Sequence, residues 1–188
     1  MITLESIFSY SNLYQAKGQV IANRGAAGTD GLTVDDIEPW FKAHPHKLTS
    51  EIKEGTYQFQ PIKRVYIPKH DGKMRPLGIP SVIDRIVHQA IAIALSEEYD
   101  STFTSGSCGF RPNKSGHEAV KAMTAFLNMG YTYVIDLDLK SFFDTVNHEH
   151  LLRQLARRIQ DRRVLKLINQ ILKTKIADGE EIIKPRKG

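Results

Sequence analysis

The residues best suited to chemistry are two aspartates, Asp136 and Asp138, inside the segment 131–139, which reads Tyr-Thr-Tyr-Val-Ile-Asp-Leu-Asp-Leu. β-branched and aromatic residues dominate the segment, so it is predicted to be a strand. Side chains two apart on a strand share a face, which would put both carboxylates side by side. A carboxylate among strong β formers needs a partner, and a divalent cation is one that justifies the cost. Magnesium takes one or two carboxylates together with phosphate oxygens, the arrangement of two-metal phosphoryl transfer. The same spacing also fits one acid in solvent and the other paired with a basic residue. Immediately downstream, Ser141, Phe142, Phe143 and Asp144 follow. Phe143, five residues past Asp138, could roof a sugar pocket and leave no room for a 2′-hydroxyl; alternatively both phenylalanines are core and Asp144 caps a turn.

Two further stretches are suited to phosphate. Lys63, Arg64, Lys69, Lys73 and Arg75 crowd a predicted β-hairpin, where alternation could line several along one face; lysine offers phosphate a point charge and arginine a bidentate fork. The run 106–114, with Phe110, Arg111, Asn113 and Lys114, leads into a helix N-terminus capped by Ser115, a combination that could lie along a nucleic-acid strand. Each stretch also reads as a solvated basic loop. Cys108 is the single cysteine, which excludes a disulfide framework and a cysteine-based zinc site. There is no Gly-x-Ser-x-Gly elbow and no dinucleotide-binding Gly-x-Gly-x-x-Gly.

The elements that must position these residues follow from pattern. Residues 3–23 are predicted as one helix, and 24–31 as a glycine-rich connector. Thr33, with Asp36 three residues on, offers an N-cap close to a capping box for a helix that is broken before Pro45 and resumes to about Glu54, where Gly55 ends it. Strands at 60–68 and 74–79 flank the turn His70-Asp-Gly-Lys73, since Asp-Gly tolerates positive φ. A helix over 83–95 has apolar residues at three- and four-residue spacing. Ser115 and Glu118 form a capping-box signature for a helix to Asn128. Two helices, 148–158 and 162–173, precede a hairpin around Asp178-Gly179 and a terminal basic run, 184–188.

The chain has 188 residues, 41% hydrophobic and 25% charged, a globular composition. No apolar run approaches the roughly 20 residues of a membrane span, and no signal-peptide pattern opens the chain; no membrane partner is expected, and the expected location is the cytoplasm of a bacterial-type cell. The net charge is +5, unevenly spread. Residues 42–75 hold 8 basic and 3 acidic side chains, residues 150–188 hold 11 and 4, and residues 76–149 between them hold 5 and 9. Basic flanks around an acidic centre suit a polyanion held beside a divalent metal; they also suit two solvated helical faces.

Taken in order, three blocks carry a resemblance. Ile67-Pro-Lys-His-Asp-Gly-Lys-Met-Arg-Pro-Leu-Gly-Ile-Pro80, Ser107-Cys-Gly-Phe-Arg-Pro-Asn-Lys-Ser-Gly-His-Glu-Ala119 and Tyr133-Val-Ile-Asp-Leu-Asp-Leu-Lys-Ser-Phe-Phe-Asp-Thr-Val-Asn-His148 resemble successive blocks of the group II intron-encoded reverse transcriptase/maturase family. The resemblance implies an α+β right-hand polymerase, with fingers and an N-terminal extension at 1–82, the first part of the palm at 83–145 and a return to the fingers at 146–188. It implies that Asp138 is the first catalytic aspartate and, with the backbone of Leu139, a metal ligand. It further implies that Lys69 and Arg75 contact an incoming triphosphate, that the backbone from Leu139 through Ser141 to Phe142 approaches metal or triphosphate, that Phe143 gates the sugar, and that Lys63, Arg64, Arg111, Asn113 and Lys114 lie along template RNA. Asp136 is the less secure acid. The implied cofactor is magnesium, with manganese as an alternative. The implied partners are intron or template RNA, a DNA primer and deoxynucleoside triphosphates.

The family's Pro-Gln-Gly block, its aromatic-x-Asp-Asp hairpin, its thumb and its maturase region have no counterpart in these 188 residues. The chain is therefore expected to be an N-terminal portion of an RNA-directed DNA polymerase, inactive alone as a polymerase and open to self-association through an exposed palm edge. Other readings are an intron-binding maturase module, or a retron, diversity-generating or CRISPR-associated reverse transcriptase.

Overall fold

A computed structural model of the chain describes residues 1–70, 72–139 and 141–184. Asp71 of the Asp-Gly turn, Lys140 of the third block and residues 185–188 of the terminal basic run therefore lie outside the described residues. Nine α-helices are described: α1 Leu4–Ile7, α2 Tyr10–Ala22, α3 Ile37–Ala43, α4 Lys47–Glu54, α5 Val82–Tyr99, α6 Gly116–Asn128, α7 Phe142–Thr145, α8 His148–Ala156 and α9 Arg162–Leu172. Four strands, β1 Ile62–Pro68, β2 Met74–Ile79, β3 Ile176–Asp178 and β4 Glu181–Ile183, form one sheet in the order β2-β1-β3-β4. Among the described residues no helix is long and apolar enough to cross a membrane.

The core surrounds α5. Val82, Ile86, Val87 and Ala90 are wholly buried along one stripe of it, the i, i+4 spacing that an amphipathic helix uses to bury a face. Leu4 and Ile7 of α1, Ala16 and Val20 of α2, Ile37, Leu48, Ile52, and Val164 and Leu167 of α9 pack into the same cluster. Among the described residues the one buried acid is Asp84, in the first turn of α5, which accepts hydrogen bonds from the Tyr57 hydroxyl at 2.6 Å and the Gln60 N–H at 2.9 Å. Burial raises the Asp84 carboxyl above its usual range, and burial beside Asp84 raises the Tyr57 phenol.

The single helix predicted over 3–23 is two. Thr3 caps α1 and Ser9 caps α2, breaking the helix at Phe8. The Asn12 amide holds the break by donating to the carbonyls of Ile7 at 2.6 Å and of Ala90 on α5 at 2.9 Å. The glycine-rich connector lies against the start of α5: a Cβ on Gly28 would stand 2.7 Å from both Cα and N of Ser81, so only glycine fits there. The hairpin pairs as expected, Ile67 opposite Arg75 and Lys63 opposite Ile79, and β3 joins β1 in parallel, Ile62 opposite Ile176. The hairpin around Gly179 also forms, with β3 and β4 antiparallel.

The strand predicted over Tyr131–Leu139 is not found. Among the described residues the segment pairs with no strand, and all nine of its residues are exposed. β propensity reflects a fit to a neighbouring strand more than an intrinsic backbone choice, and no neighbour is at hand. Helix α6 likewise buries none of its residues.

His88 of α5 stacks on Phe59 with ring centroids 5.5 Å apart, and its Nε2 is shut off from solvent without a partner. Burial lowers its pKa from 6.5 to about 4. A histidine held neutral contributes stability that is complete above its unfolded pKa and is lost as pH falls through the folded one. His88→Leu should therefore lose less stability than the natural chain between pH 7 and pH 4, by up to about 3 kcal/mol. Urea unfolding across that range checks this; parallel pH profiles would contradict it.

Candidate nucleotide-binding cleft

Arg75 sits on β2 opposite Ile67, and Lys69 directly follows β1. The turn between the strands closes through the Lys69 N–H, which donates to the Lys73 carbonyl at 2.7 Å, and through Gly72 at φ 77°. The hairpin therefore carries Lys69 and Arg75 together at its tip. Strand alternation places Arg75 on the face of Lys63, Val65 and Ile67, and Arg64 on the other.

Facing the hairpin is the stretch after the unpaired segment. Ser141 adopts φ 51°, the left-handed region that non-glycine residues enter only when held there. The one-turn helix α7 starts from it. The Thr145 hydroxyl ties that turn by donating to the carbonyls of Ser141 at 3.0 Å and Phe142 at 3.1 Å. The turn presents Phe142 and Phe143 edge-to-face, centroids 5.5 Å apart, with Phe143 83% exposed.

The two halves enclose an open cleft of about 960 Å³ lined by Lys69, Arg75, Pro76, Leu137, Asp138, Leu139, Ser141, Phe142, Phe143 and Asp144. Two cations thus stand on one wall, with two carboxylates and two aromatic rings on the other. That arrangement can bind a polyphosphate on the cationic side and an aromatic or sugar ring on the other. Asp138, Leu139, Lys69, Arg75, Ser141, Phe142 and Phe143, predicted from sequence to act together, all line it. Asp136 does not. Asp144, read from sequence as a cap, does; its signal was the turn-forming position six residues after Asp138, which brings a second carboxylate back to the same wall.

The residues expected along template RNA lie elsewhere. Arg64 points to the opposite face of the sheet and meets Asp178 at 3.5 Å, and the Tyr66 hydroxyl donates to the same carboxylate at 2.7 Å. Lys63 is exposed. Lys114 is 3.6 Å from Glu118 one helical turn on, and Asn113 takes φ 58° in the loop before α6.

Arg111 is occupied within its own loop. It donates to both carboxylate oxygens of Asp100 at 2.8 and 3.2 Å, to the Asp100 carbonyl at 2.9 Å, and to the carbonyls of Thr104 at 2.8 Å and Ser107 at 3.0 Å. Its guanidinium also lies over the Phe103 ring, and the pairing holds the Asp100 carboxyl below its usual range. Its side chain therefore shapes the loop and has no donor left to offer a template. Arg111→Lys, with three donors and no fork, should free the loop; trypsin or chymotrypsin cleavage within residues 100–114 should become at least about tenfold faster. An unchanged cleavage rate would contradict this role.

Residues 67–187 match the family model described as reverse transcriptase (RNA-dependent DNA polymerase). Protein YkfC of Escherichia coli K12 is 38% identical over 167 residues, 86% of this chain and 44% of that protein. The group II intron-encoded protein LtrA of Lactococcus lactis subsp. cremoris is 34% identical over 166 residues, 88% of this chain and 26% of that protein. The chain thus spans less than half the length of either relative. In a solved structure described as a partial Cas6-RT-Cas1–Cas2 complex, one chain superposes on 98% of this one with a TM-score of 0.63 at 20% identity, covering 30% of its own length; this likeness concerns the fold alone.

Proposed function

The chain belongs to the reverse transcriptase (RNA-dependent DNA polymerase) family and fits its group II intron-encoded reverse transcriptase/maturase branch, and from that membership we propose that the cleft between the β1–β2 hairpin and α7 is the nucleotide-gripping half of a polymerase active site. The observation that carries this reading is the joint lining of one cleft by Lys69, Arg75, Asp138 and Phe143. Its α+β architecture is that of a reverse transcriptase domain. In the proposed division, residues 1–82 are fingers with an N-terminal extension, 83–145 the first part of the palm, and 146–188 a return to the fingers. The parallel pairing of β3 with β1 supports the return.

The substrate would be a deoxynucleoside triphosphate added to a DNA primer along an RNA template. Lys69 and Arg75 would hold the triphosphate, lysine as a point charge and arginine as a fork. Phe143, exposed into the cleft, would lie against the sugar, where a 2′-hydroxyl would meet its ring. Asp138 with the Leu139 carbonyl offers hard oxygen donors of the kind magnesium or manganese takes, and such an ion would supply charge neutralisation to the phosphates. Among the described residues no group of three or more acidic, histidine or cysteine side chains is gathered for a metal, so these residues fit part of one coordination shell and not two complete ones.

For that reason the 188-residue chain alone should show no primer extension on an RNA template with magnesium, whereas a longer reverse transcriptase containing it should extend and should drop to background on Asp138→Ala with RNA affinity retained. Extension by the short chain, or activity surviving the substitution, would contradict the assignment.

Binding of intron RNA in the manner of a maturase is the second proposed role. Just after α8 and on α9, Arg157, Arg162 and Lys166 are exposed and make no ion pair among the described residues, unlike Arg153, Arg158 and Arg163, which pair with Glu149, Glu98 and Glu5. If those three cations meet phosphates, log affinity for single-stranded RNA should fall with log salt at a slope of about −2, and Arg157→Ala with Arg162→Ala should reduce its magnitude by about 1 to 1.5. A slope the double variant leaves unchanged would remove these residues from the interface.

A further inference from the structure

The β1–β2 hairpin buries little of itself. No residue of either strand is buried, and none belongs to the core cluster around α5. Its angle to the rest of the molecule is therefore set by what holds its two legs. The exit leg is short: β2 ends at Ile79, and Pro80 and Ser81 alone separate it from Val82, the first residue of α5. Ser81 is 1% exposed, and its hydroxyl accepts from the Asp84 N–H at 3.3 Å. The entry leg, residues 56–61, is neither helix nor strand. It is held by the Asp84 carboxylate, which takes the Tyr57 hydroxyl on Oδ1 and the Gln60 N–H on Oδ2.

One side chain thus joins both legs at the base of the hairpin, and the Tyr57–Asp84 bond is withdrawn from water. The other side-chain ties near β1 lie at the surface: the Thr29 hydroxyl to the Pro61 carbonyl, and the Tyr66 hydroxyl to Asp178. Strand β3 pairs with β1 at Ile62 and Lys63, next to the same base. From Gln60 to Lys69 an extended chain runs about 30 Å, so a tilt of about 10° at the base moves the tip by about 5 Å. A misplacement of about 1 Å is enough to cost a bound group its productive geometry. The base of the hairpin therefore governs where Lys69 and Arg75 stand. Asp84 itself, 2% exposed, does not line the cleft.

We propose that Asp84 is a positioning residue for triphosphate binding: by tying Tyr57 and Gln60 to the first turn of α5, it sets the angle at which the hairpin carries Lys69 and Arg75 into the cleft. The hinge stands on the hydrogen bonds alone; its consequence for a triphosphate rests on the polymerase reading of the cleft. The bonding pattern also says which replacement keeps the hinge. Asparagine can accept from the Gln60 N–H with its oxygen and donate from its amide to the Tyr57 hydroxyl, which accepts as well as donates. Alanine loses both bonds, and Tyr57→Phe loses one.

The hinge is read in the 188-residue chain with nitroxide labels on His70→Cys, at the hairpin tip, and Ala92→Cys, exposed on α5, in a Cys108→Ser background. By double electron–electron resonance, Asp84→Ala should widen the interspin distance distribution by about 5 Å, and Asp84→Asn should leave it as it is. Should Asp84→Ala fail to fold by circular dichroism, Tyr57→Phe should still widen it. A distribution that neither Asp84→Ala nor Tyr57→Phe widens, or one that Asp84→Asn widens as much as alanine, would overturn the hinge.

The consequence is read as steady-state incorporation of a deoxynucleoside triphosphate by a longer reverse transcriptase containing this chain. Asp84→Ala should raise KM at least about fivefold and change kcat less than about twofold; Tyr57→Phe should raise KM at least about twofold. A merely structural role would lower the folded fraction, and with it kcat, while KM stayed put. Because Asp84 acts through the hairpin cations, KM of Asp84→Ala with Arg75→Ala should fall short of the product of the two single effects. If Arg75→Ala raises KM and Asp84→Ala does not, or if the two effects simply multiply, the cleft stands and the positioning role falls. If Arg75→Ala itself leaves KM unchanged, the polymerase reading of the cleft falls, and the triphosphate role of Asp84 with it.

Discussion

A single buried carboxylate sets the phase of everything around the cleft. Asp84 sits 2% exposed in the first turn of α5 and binds the Tyr57 hydroxyl and the Gln60 N–H, two residues short of β1. Those bonds are its compensation for leaving water. They clamp the entry of β1 to the most buried helix of the fold. Because strand side chains alternate, a slip of one residue there would turn Arg75 to the wrong face of the hairpin. Gly28, pressed on the Ser81 backbone, and Thr29, donating to the Pro61 carbonyl at 3.0 Å, brace the same junction from the N-terminal side.

From that junction the molecule divides by how much it buries. The helices α1 to α5 and α9 share a continuous core, to which no residue of the four strands belongs; the hairpin that carries the cationic wall is tied to it through the bonds of Asp84 just before β1. The acidic wall, Asp138 and residues 141–144, adjoins a segment that pairs with no strand among the described residues, and its turn is held by local devices: the left-handed Ser141 and the hydroxyl of Thr145. Both walls of the cleft thus stand outside the buried core, one on a paired hairpin and the other on a locally tied turn. Under the proposed function a triphosphate would span Lys69 and Arg75 towards Asp138.

Much of this was legible in the chain itself, wherever a local rule decided the outcome. The Ser115 cap of α6, Gly55 ending α4 and the Asp-Gly hairpin are written in neighbouring residues. The cleft set from Lys69 to Phe143 was legible in the first and third of the three blocks. What could not be read locally depended on partners distant in sequence. Ser9 opens a new helix because Asn12 reaches Ala90, 78 residues away. Arg111 looked like a ligand for phosphate because arginine in a glycine-rich loop often is, yet Asp100 and two carbonyls had already taken its donors. The strand at 131–139 was composed correctly and lacked only the neighbour that composition cannot supply.

If the cleft is one site, the hairpin cations and the Asp138 wall hold one and the same ligand. The direct measurement is a double-mutant cycle on Arg75→Ala and Asp138→Asn, read as deoxynucleoside triphosphate affinity in a primer–template complex of a reverse transcriptase containing this chain. A shared triphosphate predicts a coupling of at least about 0.5 kcal/mol between the two substitutions. Strict additivity would place them in separate sites and contradict a shared ligand.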